Sequence, residues 1–218
     1  MKLVKICGNR TLEDVTASMN QGADYIGFIF AAESKRQVKA EEVGSWMKFF
    51  SERKLPKLVG VFVRPTIQSL KEVLKIVPLD CIQLHGDENV QFVQKVKETF
   101  GRNVWKALHH HEQIIAEMEK YAPFVDGYVI DSRVKGMWGG TGIPFDWSDV
   151  GKYTNWAKDH QKLCFIAGGI TPENVTDLLA KGADFLDIAS GVETDGKKDE
   201  EKIAKLIEKV KGYDRLSR

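Results

Sequence analysis

Cysteine is scarce and unpatterned in this sequence. Three occur in 218 residues, at Cys7, Cys81 and Cys164. Their odd number and wide spacing exclude a disulfide framework and a CxxC metal site, and they fit a reducing compartment. Long hydrophobic runs are missing too. No apolar stretch approaches the ~18 residues that a membrane-spanning helix needs. The opening segment, Met1 to Cys7, alternates charged and apolar residues and does not read as a signal peptide, so a cytoplasmic protein is expected. Neither sign of charge dominates: 32 Lys and Arg face 31 Asp and Glu, a formal net charge of +1. Nucleic acid and membrane are therefore not expected as partners. Glycine-rich nucleotide loops are also lacking. Neither G-x-G-x-x-G nor G-x-x-x-x-G-K-[ST] occurs, which disfavours dinucleotide and P-loop binding. No linker, low-complexity tract or composition break appears, so residues 1–218 read as a single domain.

What is present is alternation. Eight short apolar, β-branched runs recur: Leu3–Cys7, Tyr25–Phe30, Leu58–Val63, Cys81–Leu84, Val104–Leu108, Tyr128–Ile130, Leu163–Ala167 and Phe185–Ala189. Unbroken runs of this length suit strands buried on both faces, as in a parallel sheet. Helix-period stretches lie between them, at 11–21, 40–53, 66–76, 88–99, 111–121, 147–158, 172–181 and 198–211. Thr171-Pro172-Glu173 has the makings of a helix start, with Thr as cap and Pro in the first turn. Gly22-Ala23-Asp24 and Gly182-Ala183-Asp184 each end a helix ahead of a strand. The segment after Glu193 reads as a turn into the last helix, whose many charges mark a solvated face. Eight strand–helix units of ~25–30 residues form the pattern of an α/β fold, a single (β/α)8 TIM barrel. The rival is a doubly wound open sheet. It more often has fewer strands and carries a glycine-rich loop after the first, where this chain has Cys7-Gly8-Asn9-Arg10.

In such a barrel the active site lies at the C-terminal ends of the strands. That rule selects Cys7, Arg36, His85, Asp131, Gly168-Gly169, Asp187 and Ser190-Gly191 as candidates. Gly168-Gly169 and Ser190-Gly191 make either tight turns or a backbone cradle for an anion. Their joint position after strands seven and eight favours phosphate. Gly140-Thr141-Gly142 is a further flexible donor set after strand six. Cys7 is either an inert core residue or a reactive thiol. Lys5 shares its face two residues earlier, and such a cation would favour thiolate. Asp131 ends a buried strand, where desolvation raises a carboxyl pKa and lets it hold a proton. Asp187 alternates with Phe185 and points inward under a ligand or caps a loop. Arg36, in the loop after strand two, suits a carboxylate clamp. Cys81 and Cys164 read as packing, and Asp126 as a turn residue at the far end of the barrel. His109-His110-His111 is not expected to hold metal, because adjacent side chains point different ways.

Together these segments resemble the phosphoribosylanthranilate isomerases of tryptophan biosynthesis. The resemblance is carried by Val4-Lys5-Ile6-Cys7-Gly8, by Gly27-Phe28-Ile29-Phe30 with Ser34-Lys35-Arg36, and by Gln83-Leu84-His85-Gly86-Asp87-Glu88. Asp131-Ser132 with Gly139-Gly140-Thr141-Gly142, Ala167-Gly168-Gly169-Ile170 and Ser190-Gly191-Val192-Glu193 extend it over nearly the whole chain. It implies a barrel of the ribulose-phosphate-binding type and an Amadori rearrangement of N-(5-phosphoribosyl)anthranilate. Cys7 would be the base and Asp131 the acid, with no cofactor and no metal. Arg36 would meet the anthranilate carboxylate. Backbone at Gly140–Gly142, Gly168-Gly169 and Ser190-Gly191 would hold the phosphate, with His85 and Asp187 also contacting substrate. The only partner implied is a small phosphorylated molecule; association with other enzymes of the pathway leaves no mark in the sequence. Two alternatives stay open. One is the histidine-pathway isomerase, which performs the same rearrangement on a two-phosphate substrate with an aspartate where Cys7 stands. The other is a silent sugar-phosphate binding protein, which would need neither Cys7 nor Asp131.

Overall fold

The computed structural model describes residues 1–50, 55–131 and 146–216. Eight parallel strands close into a barrel in chain order: β1 (Leu3–Ile6), β2 (Tyr25–Ile29), β3 (Lys57–Phe62), β4 (Cys81–Leu84), β5 (Asn103–His109), β6 (Gly127–Asp131), β7 (Leu163–Ala167) and β8 (Phe185–Ile188). β8 returns to β1 through Lys5↔Asp187 and Ile6↔Ile188, which completes the ring. The helices among the described residues are α1 (Leu12–Asn20), α2 (Ala40–Phe49), α3 (Ile67–Ile76), α4 (Val90–Phe100), α5 (Ile114–Tyr121), α6 (Val150–Asp159), α7 (Val175–Ala180) and α8 (Glu200–Leu216). The doubly wound alternative is thereby excluded.

Period-two geometry sends alternate side chains to opposite faces of each strand. One set, including Ile6, Phe28, Ile82, Ile130, Ile166 and Ile188, packs outward against the helices. The other fills the barrel. At the strands' N-terminal end Tyr25, Cys81, Trp105 and Phe165 form an apolar floor. Trp105 stacks on Phe165 with ring centroids 4.6 Å apart, and Tyr25 meets both edge-on at 5.2 and 5.4 Å. Each such buried side chain contributes roughly 1.5–3 kcal/mol, so the floor adds to the stability drawn from the larger core between strands and helices. Higher up, the same inward phase carries Lys5, Gln83 and Asp187, then Cys7, His85 and Asp131.

Local chemistry accounts for most element ends. Thr11, Thr66 and Asn89 cap their helices, accepting from the backbone N–H of Asp14 (3.1 Å), Ser69 (3.0 Å) and Phe92 (2.9 Å). Helix α7 departs from expectation by starting at Val175 rather than Pro172. Residues 171–174 instead form a turn. The Thr171 hydroxyl accepts from Glu173 N, and the Asn174 side chain both accepts from Thr171 N and donates to Gly169 O. Helix α8 runs to Leu216, past the expected 211. The segment after Glu193 is a hairpin and not a plain turn. Strands β9 (Glu193–Thr194) and β10 (Lys197–Lys198) pair around Asp195-Gly196, whose φ values of 51° and 75° suit a type I′ turn. No helix among the described residues is long and apolar enough to cross a membrane.

Candidate active site

A cavity of about 380 Å³ opens at the C-terminal end of the barrel, a volume suited to a small ligand. Cys7, Arg36, His85, Asp131, Gly168, Gly169, Asp187, Ser190 and Gly191 all line it. Nine residues chosen from the sequence thus converge on one space. The remaining three, Gly140, Thr141 and Gly142, lie outside the described residues.

Cys7 follows directly on β1, and its backbone N donates to Ile188 O at 2.8 Å, which fixes it against the end of β8. The turn beyond is held by buried Asn9, which donates to Ile6 O and Gly27 O and accepts from the Ser18 hydroxyl. Lys5 and Cys7 face inward together, as their spacing requires. The expected thiolate bias is not realised, however. Burial pushes the Cys7 thiol above its ordinary value; the Lys5 ammonium opposes this, and the Asp187 carboxylate adds to it. Lys5 is itself fully buried and donates to Gln83 Oε1 and Asp187 Oδ2, both at 2.8 Å. Burial works against its charge, yet Asp187 and Cys7 hold it above the usual lysine value. Asp187 therefore points inward. Its second oxygen, Oδ1, is buried without a hydrogen-bond partner among the described residues.

Asp131 ends β6 and is 3% exposed. His85 Nε2 stands 3.4 Å from its Oδ2, and His85 Nδ1 lies 3.0 Å from Gln83 Nε2. Arg36 is also buried, but its guanidinium already has a carboxylate partner. Nε and Nη2 donate to the two oxygens of Glu193 at 2.8 and 2.7 Å. Lys198 Nζ donates to Glu193 at 2.8 Å and to Ala189 O at 2.9 Å. Burial draws the Glu193 carboxyl upward, but Arg36 and Lys198 outweigh it and hold it below the usual glutamate value. Burial pulls the Lys198 ammonium below its own usual value.

The glycines after β7 and β8 are required by geometry. Gly168 and Gly169 both have positive φ, 90° and 65°. A Cβ on Gly191 would stand 1.7 Å from Ile170 O, so the two loops touch backbone to backbone. Residues passed over in the sequence complete the site: Gln83, Glu193 and Lys198, with Lys5 noted only as a neighbour of Cys7. The residues read as structural lie away from the cavity. Cys81 belongs to the barrel floor. Cys164 lies in the outer core, its thiol pushed up to about 12 by burial. Asp126 sits below β6 and accepts from Val104 N at 2.7 Å and Lys97 Nζ at 2.6 Å. His110 and His111 diverge, the first to the Tyr153 hydroxyl at 2.7 Å and the second to Glu117 at 2.8 Å.

A closed ring of eight parallel strands, with a cavity at their C-terminal ends lined by a thiol, a carboxyl group and an imidazole, has the architecture of a (β/α)8-barrel enzyme. A sequence model described as N-(5'phosphoribosyl)anthranilate (PRA) isomerase matches residues 4–209, and the chain belongs to that family. The N-(5'-phosphoribosyl)anthranilate isomerase of Geobacillus thermodenitrificans is 47% identical over 213 residues, covering 98% of this chain and 96% of that protein. That of Bacillus subtilis is 41% identical over 214 residues, covering 98% and 97%. The crystal structure of the Thermotoga maritima phosphoribosyl anthranilate isomerase superposes with a TM-score of 0.82 at 31% identity, covering 97% of this chain and all of that one. A further structure of a phosphoribosyl anthranilate isomerase, in complex with reduced 1-(o-carboxyphenylamino)-1-deoxyribulose 5-phosphate, gives a TM-score of 0.80 at 31% identity, with the same coverage.

Proposed function

We propose that Cys7 and Asp131 perform, as base and acid, the aldose–ketose isomerisation of this chain's family. The reaction converts N-(5-phosphoribosyl)anthranilate to 1-(2-carboxyphenylamino)-1-deoxyribulose 5-phosphate, a step of tryptophan biosynthesis. Asp131 gives its proton to the ribose ring oxygen. The C1–O bond breaks, its electron pair stays on that oxygen, and the anthranilate nitrogen lone pair forms a protonated Schiff base. The Cys7 thiolate removes the proton from carbon 2. Those electrons form the C1–C2 double bond and return the iminium pair to nitrogen, and the enolamine tautomerises to the ketone. The Schiff base is the electron sink, so the chemistry requires no cofactor.

The observation that carries this reading is the presence of the Cys7 and Asp131 side chains on the wall of one cavity. Burial works against the base at neutral pH, because the thiolate it removes outweighs the basicity it adds. A thiol pushed upward ionises less, but its thiolate accepts a proton more avidly. Thiolate with carboxylic acid holds the same single proton as thiol with carboxylate, so the working form is reached by internal transfer. Substrate phosphate is assigned to backbone N–H groups of Gly168-Gly169 and Ser190-Gly191, together with Gly140–Gly142. The anthranilate carboxylate is assigned to the Nη1–Nη2 edge of Arg36, since Glu193 occupies the Nε–Nη2 edge. Asp187 Oδ1, buried and unpartnered, suits a sugar hydroxyl or the bridging N–H. His85 completes the contacts. The chain is taken as one barrel domain over 1–218, working in the cytoplasm on a small phosphorylated substrate, with no nucleic-acid or membrane partner.

The test is turnover of N-(5-phosphoribosyl)anthranilate and of the histidine-pathway aminoaldose by purified protein. Turnover of the first is expected. Cys7→Ser and Asp131→Asn should each lower kcat by ~10²–10⁴, the usual yield of general acid–base catalysis, while a product analogue still binds. Unchanged kcat in either variant removes that residue from the mechanism. Binding without turnover in the unsubstituted protein would favour the silent sugar-phosphate protein.

A further inference from the structure

Four side chains from three strands form a directed line across the barrel mouth. Lys5 on β1 reaches Gln83 on β4, Gln83 reaches His85 just past the end of that strand, and His85 faces Asp131 at the end of β6. The direction follows from donor and acceptor capacity alone. A lysine ammonium only donates, so the Gln83 atom 2.8 Å from Lys5 Nζ is the carbonyl oxygen. The Gln83 NH2 group must then lie on the other side, 3.0 Å from His85 Nδ1. Nδ1 accepts that bond and so carries no proton. In the neutral imidazole the proton sits on Nε2, the nitrogen 3.4 Å from Asp131 Oδ2. That nitrogen is buried and has no hydrogen-bond partner among the described residues.

The 3.4 Å separation is longer than a formed N–H···O bond, which runs to ~2.7–3.2 Å. His85 is therefore a donor aimed at a carboxyl group and not yet engaged with it. We propose that Lys5 and Gln83 are positioning residues for the isomerisation. By fixing the Gln83 amide they hold His85 as an Nε2–H donor, poised for the carboxylate that appears when Asp131 gives its proton to the ring oxygen. This rests on the assignment of Asp131 as the acid. The gain is differential. The donor meets a neutral carboxyl loosely before the step and an anion afterwards, and charge-assisted hydrogen bonds are the shorter and stronger ones. Asp187 secures the other end of the line, because its grip on Lys5 at 2.8 Å keeps the ammonium from turning away from Gln83.

The test is nitrogen-15 NMR of the histidine imidazoles in the full-length protein, with His85 assigned by its loss in His85→Asn, alongside steady-state kinetics. In the unsubstituted protein the His85 proton should reside on Nε2. Gln83→Met removes the amide and should give mixed tautomers. It should lower kcat by about 10–100-fold, the range seen when the orienting partner of a metal-bound histidine is lost, with KM changed far less. Gln83→Glu keeps the Lys5 contact but can only accept. It should move a proton onto Nδ1 and lower kcat similarly, and it serves should Gln83→Met not fold. A proton on Nδ1 in the unsubstituted protein overturns the relay, as does kcat left intact in whichever variant folds. Absence of turnover in the unsubstituted protein would instead sink the assigned reaction, and the tautomer reading would still decide the relay.

Discussion

Gly27 leaves open the space that the Cys7 sulfur occupies. A Cβ built on Gly27 would stand 2.8 Å from Cys7 Sγ, 3.0 Å from Lys5 Cε and 3.1 Å from Cys7 Cα. The first two are side-chain atoms that can move, and the third is backbone. Gly27→Ala should therefore fold but displace the thiol. Misplacing a reacting group by about 1 Å can cost ~10² in rate, so kcat should fall ten- to a hundredfold while KM changes little. Steady-state kinetics with circular dichroism checks this; a folded Gly27→Ala enzyme with unaltered kcat would show that Cys7 Sγ needs no fixed position.

The pH dependence follows from the raised Cys7 thiol. Thiolate with carboxylic acid and thiol with carboxylate share one proton, so their ratio does not change at intermediate pH. kcat/KM should be flat there, falling in acid when the pair takes up a second proton and in base when its last proton leaves. Burial places the thiol above its ordinary ~8.5, with Lys5, Asp187 and Lys198 facing it. The decline in base should start above that range. Alkylation of Cys7 by iodoacetamide in the free protein should still be accelerating at pH 9. Stability moves in the same window. A thiol raised in the folded state is ionised first in the unfolded chain, so its contribution is complete below the unfolded value and is lost as pH rises toward the folded one. Alkylation already saturated at pH 7 would contradict all of this.

The contact between Gly191 and Ile170 O makes a third prediction. No side-chain rotation relieves a Cβ placed 1.7 Å from a backbone oxygen, so Gly191→Ala must part the loops after β7 and β8. If these loops hold the phosphate, KM should rise at least tenfold, and inorganic phosphate should raise the melting temperature of the unsubstituted protein but not that of Gly191→Ala. Thermal unfolding with and without phosphate reads both arms. Equal phosphate stabilisation of the two proteins would remove these loops from the phosphate site.

Much of this site is visible in the sequence because strand ends in a barrel share one address. Cys7, His85, Asp131 and Asp187 need only the strand runs and the period of two to be placed together. Lys5 could have been added on the same grounds: a lysine inside an apolar run, in phase with Cys7, must find a partner once buried. Gln83 and Glu193 could not. Gln83 acquires its meaning from a lysine 78 positions away, and Glu193 from an arginine 157 positions away. The sign of the Cys7 shift was hidden for a related reason. Sequence proximity to Lys5 predicts thiolate, whereas desolvation depends on everything that surrounds the sulfur. The start of α7 at Val175 depends on contacts that no cap pattern encodes, the Asn174 side chain tying Thr171 N to Gly169 O so that residues 171–174 close as a turn.

Glu193 joins two buried cations, Arg36 and Lys198, and its removal should be felt in both binding and stability. Glu193→Gln leaves those cations with one neutral acceptor. Breaking a buried pair from one side costs ~3–5 kcal/mol, and a retained amide contact puts the expected loss at the lower end, about 3 kcal/mol at pH 7. Arg36, no longer held on its Nε–Nη2 edge, should bind substrate less well, so KM should rise more than kcat falls. The sign of the pH effect follows from the depressed Glu193 carboxyl. In acid the unfolded chain protonates this group first. The stability it contributes is therefore complete above the ordinary glutamate value of ~4.3 and lost as pH falls through the lower folded value. The gap in unfolding free energy between the unsubstituted protein and Glu193→Gln should stay constant from pH 7 to pH 5 and narrow below pH 4, as measured by urea unfolding at each pH. A gap unchanged down to pH 3 would mean that Glu193 is not the ionised centre of this triad.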